Sequence, residues 1–330
     1  MSIPPQVEDW ASGHRFCVTG GCGVLGSRLA ELLVSLGSAE VVVFDVTTPT
    51  SQDRNAGIRY VQGSILDSED LRAVVDGCHM VFHLAALTDV ERSHDELERF
   101  FEVNVQGSVR VGHACRNAGV HRIIYASTSH VYGLPEESPI REEHPLRPRS
   151  PYAASKVAGE AAMWGFALGA EGSSDILRLA NLYDARSKPN TVVGRMLSAV
   201  TLGEPIRVKS FNPLRGFLMA EEAAEAFVRV AAQRADRGEY RIFNVSSGER
   251  YSIGEVAQAL AQIARDLGLG DFAPDETDGM DYSDRDEIVL DSQRLFECVG
   301  WLPTTTLQEG LRRCLIERLA TNRERSELNG

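Results

Sequence analysis

VTGGCGVLGSRLAELL, residues 18–33, joins an apolar run to an apolar-periodic one through four closely spaced glycines, Gly20, Gly21, Gly23 and Gly26. RFCVT reads as a strand ending at Thr19, and the text after the glycines reads as a helix closed by Gly37. In a strand–turn–helix unit of this kind the backbone N–H groups can approach a pyrophosphate, whose charge the helix N-terminus favours. Gly20, Gly23, Val24, Leu25 and Gly26 are the expected contacts. A glycine motif alone is a weak signal. The next run, EVVVFD, strengthens it, because Asp45 ends that strand near the roughly 20-residue spacing at which an acid meets a dinucleotide ribose. A carboxylate there accepts from the ribose hydroxyls and repels a 2′-phosphate, which favours NAD over NADP; the alternative is an acid that merely ends a strand. Asp67, after the third strand, either meets the adenine amino group or only starts the following helix, where anions are favoured.

Working outward, IRYVQGSI, MVFHLAA, HRIIYAST and DILRLAN read as further strands separated by helical patterns, and YRIFNVSS reads as a later one. Their nearly continuous apolar character is expected where helices cover both faces of a parallel sheet. The fold class is therefore α/β, a Rossmann-like doubly wound sheet. Beyond it the text turns irregular and rich in Pro and Gly (ARSKPN, SFNPLRG, APDETDGMDYSDRD), which suits a smaller, discontinuous substrate-binding lobe. The expected division is residues 14–180 with about 215–247 for the NAD-binding domain, and about 181–214 with 248–330 for the lobe. Residues 1–13 are expected as a flexible extension. Ser252 with Glu255 and Thr306 with Glu309 predict two capped helix starts in the lobe.

The chain has 330 residues, 43 % hydrophobic and 25 % charged, with a net charge of −13. That charge opposes nucleic acid and anionic lipid as partners. No apolar run reaches the roughly 18 residues of a membrane span, and the N-terminus has no basic start followed by an apolar stretch, so a cytoplasmic location is expected. The six cysteines show neither CxxC nor metal-ligand spacing with histidine, so reduced thiols and no metal are expected.

SPYAASKVAGE, residues 150–160, places Tyr152 and Lys156 four apart in an alanine-rich helical run, so both leave one face. Surface helices carry such pairs often, and the pair gains meaning only from its surroundings. With TGGCGVLG, the acidic end of VVVFD, GSILD, FHLAALTDVERS, VNVQGS, YASTSHVYG, PYAASK, ILRLANLY, LRGFLMAEEAAEAF, YRIFNVSSGERYS and LFECVGWLPTTTLQEGL in that order, the chain resembles the extended short-chain dehydrogenase/reductases. Within them it resembles the sugar-nucleotide epimerase/dehydratase branch, over about residues 14 to 318.

The resemblance implies roles. Tyr152 would be the acid/base, its phenol lowered from near pKa 10 by the Lys156 ammonium and the nicotinamide charge. Lys156 would also hold the nicotinamide ribose, Leu84, Ala85 and Ala86 would line the cofactor, and Thr128 would hydrogen-bond the sugar oxygen. Asn104 would support the helix beside the site, or bond only its own helix. Proton removal by Tyr152 with hydride transfer to NAD+ would give a keto-sugar, and its fate would decide between 4-epimerisation, net redox and elimination. The resemblance also implies a homodimer formed through the two long helices before and at Tyr152.

Two stretches depart from the family pattern. Dehydratases usually carry Asp-Glu after the catalytic threonine, and decarboxylases and some other dehydratases Ser-Glu; here Ser129 and His130 stand there. The missing glutamate argues against 4,6-dehydration, while His130 is either an extra acid/base or simply the residue before a buried Val-Tyr-Gly turn. After the sixth strand, Asn181-Leu182-Tyr183-Asp184-Ala185 replaces Asn-x-Tyr-Gly-Pro, and KSFNPLRGF keeps Arg215 but loses the usual glycines and aspartate. Ser129 and Asn181 are expected at the substrate, with Arg215 and Arg285 as diphosphate clamps or else surface ion-pair members.

Overall fold

The structure, a computed structural model, describes residues 3–49, 54–169, 172–277 and 287–328. The chain opens with α1 (Pro5–Ala11), β1 (Arg15–Thr19), α2 (Val24–Ser35), β2 (Glu40–Asp45), β3 (Ile58–Gln62), α3 (Ser68–Val75) and β4 (Met80–His83). Two short helices, α4 (Arg92–Asp95) and α5 (Leu97–Phe101), lead through a π-helical turn, Glu102–Gln106, into α6 (Gly107–Asn117). Then come β5 (Arg122–Thr128), α7 (Pro151–Gly169), β6 (Ser173–Leu179), β7 (Asn181–Tyr183), α8 (Val192–Leu202), β8 (Arg207–Val208), β9 (Leu214–Arg215) and β10 (Phe217–Met219). The chain ends with α9 (Ala220–Ala232), β11 (Tyr240–Val245), β12 (Tyr251–Ser252), α10 (Ile253–Asp266), β13 (Asp275–Glu276), β14 (Glu287–Ile288), α11 (Gln293–Val299) and α12 (Leu307–Leu328).

Seven strands form one parallel sheet in the order β11-β6-β5-β4-β1-β2-β3. Alternate residues of each strand enter different cores. Phe16, Val18, Val41 and Val43 pack with Leu25, Leu29 and Leu33 of α2 and with α9 on one face. Cys17, Val42, Phe44 and Val81 pack with α3, α6 and α7 on the other. Burying a side chain such as Leu29 or Leu33 fully contributes roughly 1.5–3 kcal/mol. Because both faces are covered, the strands read as unbroken apolar runs. The strand order reverses between β1 and β4, and a crevice at the carboxyl ends of the strands at such a point is where ligands bind in open α/β sheets.

The smaller lobe has its own core of Met196 and Leu197 from α8, Val256 and Leu260 from α10, and Leu311 and Leu315 from α12. The Ser252–Glu255 capping box forms in both directions, and Thr306 Oγ1 accepts from Glu309 N at 3.3 Å. Residues 5–11 correct the expectation of a flexible extension. Pro5 begins a helix whose i, i+4 pair Val7 and Ala11 is buried against the α2–α9 core. No helix among the described residues is long and apolar enough to cross a membrane.

Candidate active site

A cleft of about 850 Å³ runs from the glycine loop, past the ends of β2, β4 and β5, to the smaller lobe. Gly20, Gly23, Val24, Leu25, Gly26, Asp45, Leu84, Ala85, Ala86, Thr128, His130, Tyr152, Lys156, Asn181 and Arg215 all line it. Strands from half the sheet thus converge on one wall.

At the glycine loop the backbone is folded too tightly for side chains. Gly20 has φ +71°, and a Cβ there would come within 2.6 Å of Ala85 N. A Cβ on Gly26 would strike the Gly20 carbonyl. Gly23 caps α2 without a side chain, so no side-chain oxygen takes the place of an anion at the first turn. Asp45 is tied to this loop: its Oδ2 accepts from Cys22 N at 3.1 Å, and its Oδ1 from Thr47 N at 3.0 Å. An open helix N-terminus with an acid beside it suits the pyrophosphate and ribose of NAD. Asp67 does not join this wall. Its Oδ1 accepts from Glu69 N and Asp70 N and caps α3, while Ser64, Ile65 and Leu66 beside it line the cleft.

Thr128 ends β5, and α7 presents Tyr152 and Lys156 on the opposite side of the same corner. All three are nearly buried. The expected lowering of the Tyr152 phenol draws on the nicotinamide charge, which the chain alone does not supply. Burial pushes the phenol up to about 12, opposed only by a hydrogen bond with Thr128. Burial pushes the Lys156 ammonium down to about 7, while the charge of Glu160 acts against that, and its Nζ lies 4.0 Å over the Tyr125 ring. A cation brought beside the phenol would pull its pKa down.

Asn104 sits in the π-helical turn and braces this corner across elements. Its Oδ1 accepts from Leu87 N at 2.8 Å, and its Nδ2 donates to Leu87 O and Ser155 Oγ, each at 2.9 Å. Ser155 Oγ donates in turn to Tyr152 O at 2.7 Å. The sequence reading missed the groups behind it. His83, fully buried at the end of β4, lies 2.8 Å from Thr19 Oγ1 and 3.0 Å from Ser108 Oγ, and Ser108 Oγ donates to Asn104 O. Glu160 accepts from Arg178 at 3.0 and 2.7 Å and from Ser127 Oγ at 2.5 Å, a fully buried ion pair one turn past Lys156. A histidine in a strand and a glutamate in a helix that otherwise read as core were the available signals.

His130 belongs to a 3₁₀ turn whose Val131 and Tyr132 are indeed buried, yet its own ring faces the cleft, 6.2 Å from the Tyr152 ring and edge-on to it. Ser129 is 3 % exposed, lies in the turn between Thr128 and His130, and is not among the residues that line the cleft. Arg215 is half-buried on the lobe side, where its Nη1 donates to Leu214 O at 2.9 Å. Arg285 lies outside the described residues. Lys188, Arg195, Arg207 and Lys209, which the sequence reading did not single out, also line the cleft and make its lobe side cationic in an acidic chain.

The model of the NAD dependent epimerase/dehydratase family matches residues 16–246. The chain belongs to that family. It is 30 % identical over 309 residues to a UDP-glucose 4-epimerase of Mycolicibacterium smegmatis, covering 90 % of this chain and 96 % of the relative. A dTDP-D-glucose 4,6-dehydratase of Mus musculus is 28 % identical over 318 residues, covering 91 % and 87 %. Among solved structures, MoeE5 in complex with UDP-glucuronic acid and NAD superimposes with a TM-score of 0.82 at 29 % identity, covering 93 % of this chain and 99 % of that one. The relatives thus divide between epimerases and dehydratases, and this chain is an NAD-dependent enzyme of the same family.

Proposed function

We propose that this enzyme is a nucleotide-sugar 4-epimerase in which Tyr152 takes the proton from a sugar hydroxyl and returns it after the ketone has turned over. NAD, when bound, supplies reversible hydride acceptance at the same carbon. Gly20, Gly23, Val24, Leu25 and Gly26 would hold its pyrophosphate, Asp45 its adenosine ribose, Leu84, Ala85 and Ala86 its flank, and Lys156 its other ribose. Thr128 would donate to the reacting sugar oxygen, and Asn181 and Arg215 would hold the diphosphate of the sugar nucleotide.

The observation that carries this reading is the placement of carboxylates. Elimination of water beside the ketone needs a second base for the neighbouring C–H, whereas epimerisation needs only the phenol. Among the described residues the cleft carboxylates are Asp45, Asp89 and Glu91. Asp45 is bonded to the glycine loop, Asp89 accepts from Arg92 N at 3.0 Å, and Glu91 pairs with Lys209. The wall beside Tyr152 offers Thr128 and His130. Incubation with UDP-, dTDP- and GDP-hexoses, followed by NMR without added cofactor, tests it. Conversion of one C4 epimer into the other is expected, and a 4-keto-6-deoxy product instead would refute it.

A second reading, a ketoreductase or dehydratase-like variant on an activated or free sugar, takes its support from the His130 ring at the cleft wall. It requires that His130→Ala lower the rate, and an unchanged rate removes it. We also propose a homodimer through α6 and α7, where Val109, Trp164 and Leu168 are 55 %, 53 % and 68 % exposed. Sedimentation at a monomer's mass would exclude it.

A further inference from the structure

The loop that joins β7 to α8 faces two ways. Ser187, Lys188, Asn190 and Thr191 line the cleft on one side. On the other side the loop is fastened to α2, the helix that the glycine loop opens. Asp184, with no exposed surface, receives the Arg28 guanidinium as a fork, Nε donating to Oδ2 at 2.8 Å and Nη2 to Oδ1 at 3.2 Å. The same Nη2 donates to Glu317 of α12 at 2.7 and 2.9 Å. Two residues along the loop, Arg186 Nη1 donates to Glu31 Oε1 at 2.8 Å and to Ser27 Oγ at 3.1 Å. From behind, Arg318 of α12 donates to Ala185 O at 2.9 Å, to Gly194 O at 3.2 Å and to Ser187 O.

These contacts give a reason for Asp184 standing where the family pattern carries glycine. Loop, α2 and α12 are joined by charges, and the central pair is buried, with Arg28 11 % and Asp184 0 % exposed. Parting a buried, two-bonded ion pair strands a carboxylate in a poorly solvated place, so the loop cannot swing off the glycine loop freely. Lys188 rides on this loop and lines the same cleft as Gly20, Cys22 and Gly23 of the glycine loop. An ammonium in the same cleft as the glycine loop is available to an anion bound at that helix N-terminus.

We propose that residues 184–191 form a clasp that retains NAD. Arg28 with Asp184 and Arg186 with Glu31 hold the loop shut, and Lys188 supplies a cation to the pyrophosphate. The proposal rests on the NAD reading of the cleft. Arg28, Asp184 and Arg186 act as positioning residues, because they reach the cofactor only through the loop. A cofactor that is regenerated in every turnover has no need to leave, and a clasp of this kind suits that cycle.

The test is the dissociation rate of NAD from the purified full-length enzyme, measured by displacement with excess etheno-NAD, beside the melting temperature of each variant. Lys188→Gln should release NAD about tenfold faster with an unchanged melting temperature, and Lys188→Arg should keep the slow rate. Arg186→Gln should release it about two- to threefold faster, as the loss of an exposed pair implies. Asp184→Asn should release it at least about tenfold faster. Unchanged rates in Lys188→Gln and Arg186→Gln overturn the clasp even if Asp184→Asn does not fold. A lower melting temperature with an unchanged rate in Asp184→Asn reduces that pair to a structural tie and overturns its part. Failure of the wild type to bind NAD at all would instead refute the NAD reading, and it is seen before any variant is made.

Discussion

His83 makes acid stability a sharp test of the network behind the active site. Burial first, and the charge of Lys156 second, push its imidazole from the ordinary 6.5 down to about 3. An unfolded chain takes up this proton near pH 6.5, while the folded chain refuses it until about pH 3. Between those values the unfolded state binds one proton more, so stability falls as the pH falls. One proton corresponds to about 1.4 kcal/mol per pH unit, or about 2 kcal/mol between about pH 6 and about pH 4.5. Urea unfolding of the wild type and of His83→Gln at both pH values isolates this contribution, because every other titrating group is common to the two chains. The variant should begin less stable, having lost the imidazole between Thr19 and Ser108. The gap should then close by about 2 kcal/mol on acidification. Two stabilities that fall in parallel would mean that His83 is protonated in the folded chain without penalty, and the buried, neutral imidazole argued from the structure would be wrong.

Tyr152→Phe should lower kcat by about two to four orders of magnitude while NAD titration gives nearly the same affinity, since the phenol oxygen is the group proposed to move the proton. Asp45→Ala should weaken NAD by roughly 10- to 100-fold and narrow the preference over NADP, measured as the ratio of the two dissociation constants. Glu160→Gln should cost about 3–5 kcal/mol in urea unfolding, because it leaves the Arg178 guanidinium buried without its partner. In the same variant Lys156 loses the charge that holds its pKa up, so the ammonium is lost at lower pH and the alkaline limb of kcat/KM should move down in pH.

What could be read before folding was whatever the chain states locally. The glycine loop, Tyr152 with Lys156, and the apolar strands each lie within a few turns of sequence, and their backbone consequences follow from steric rules that hold in any context. The reading stayed open where one side chain had two uses and the choice depended on neighbours. Asp67 could meet a ligand or cap its own helix, and α3 supplied two N–H groups at 2.8 and 3.0 Å. Ser129 shares the strand end with Thr128, yet the tight turn that follows carries its side chain inward while Thr128 and His130 line the cleft.

The pairing of Arg28 with Asp184 lay beyond reach for a different reason. Neither residue is unusual in its own segment, and 156 residues separate them, so their meaning exists only once α2 and the loop after β7 meet. The same holds for Glu160 and Arg178, which local text presents as one charge in a helix and one in a strand. Isolated charges inside otherwise apolar elements are costly unless paired. Each therefore implies a partner that the sequence does not name. In this chain those unnamed partners stand directly behind the groups proposed to do the chemistry: Glu160 opposes the loss of charge at Lys156, and Asp184 holds the loop that carries Lys188. The residues that sequence reading finds most easily perform the reaction in this proposal, and the residues it finds least easily decide the charge and position at which they perform it.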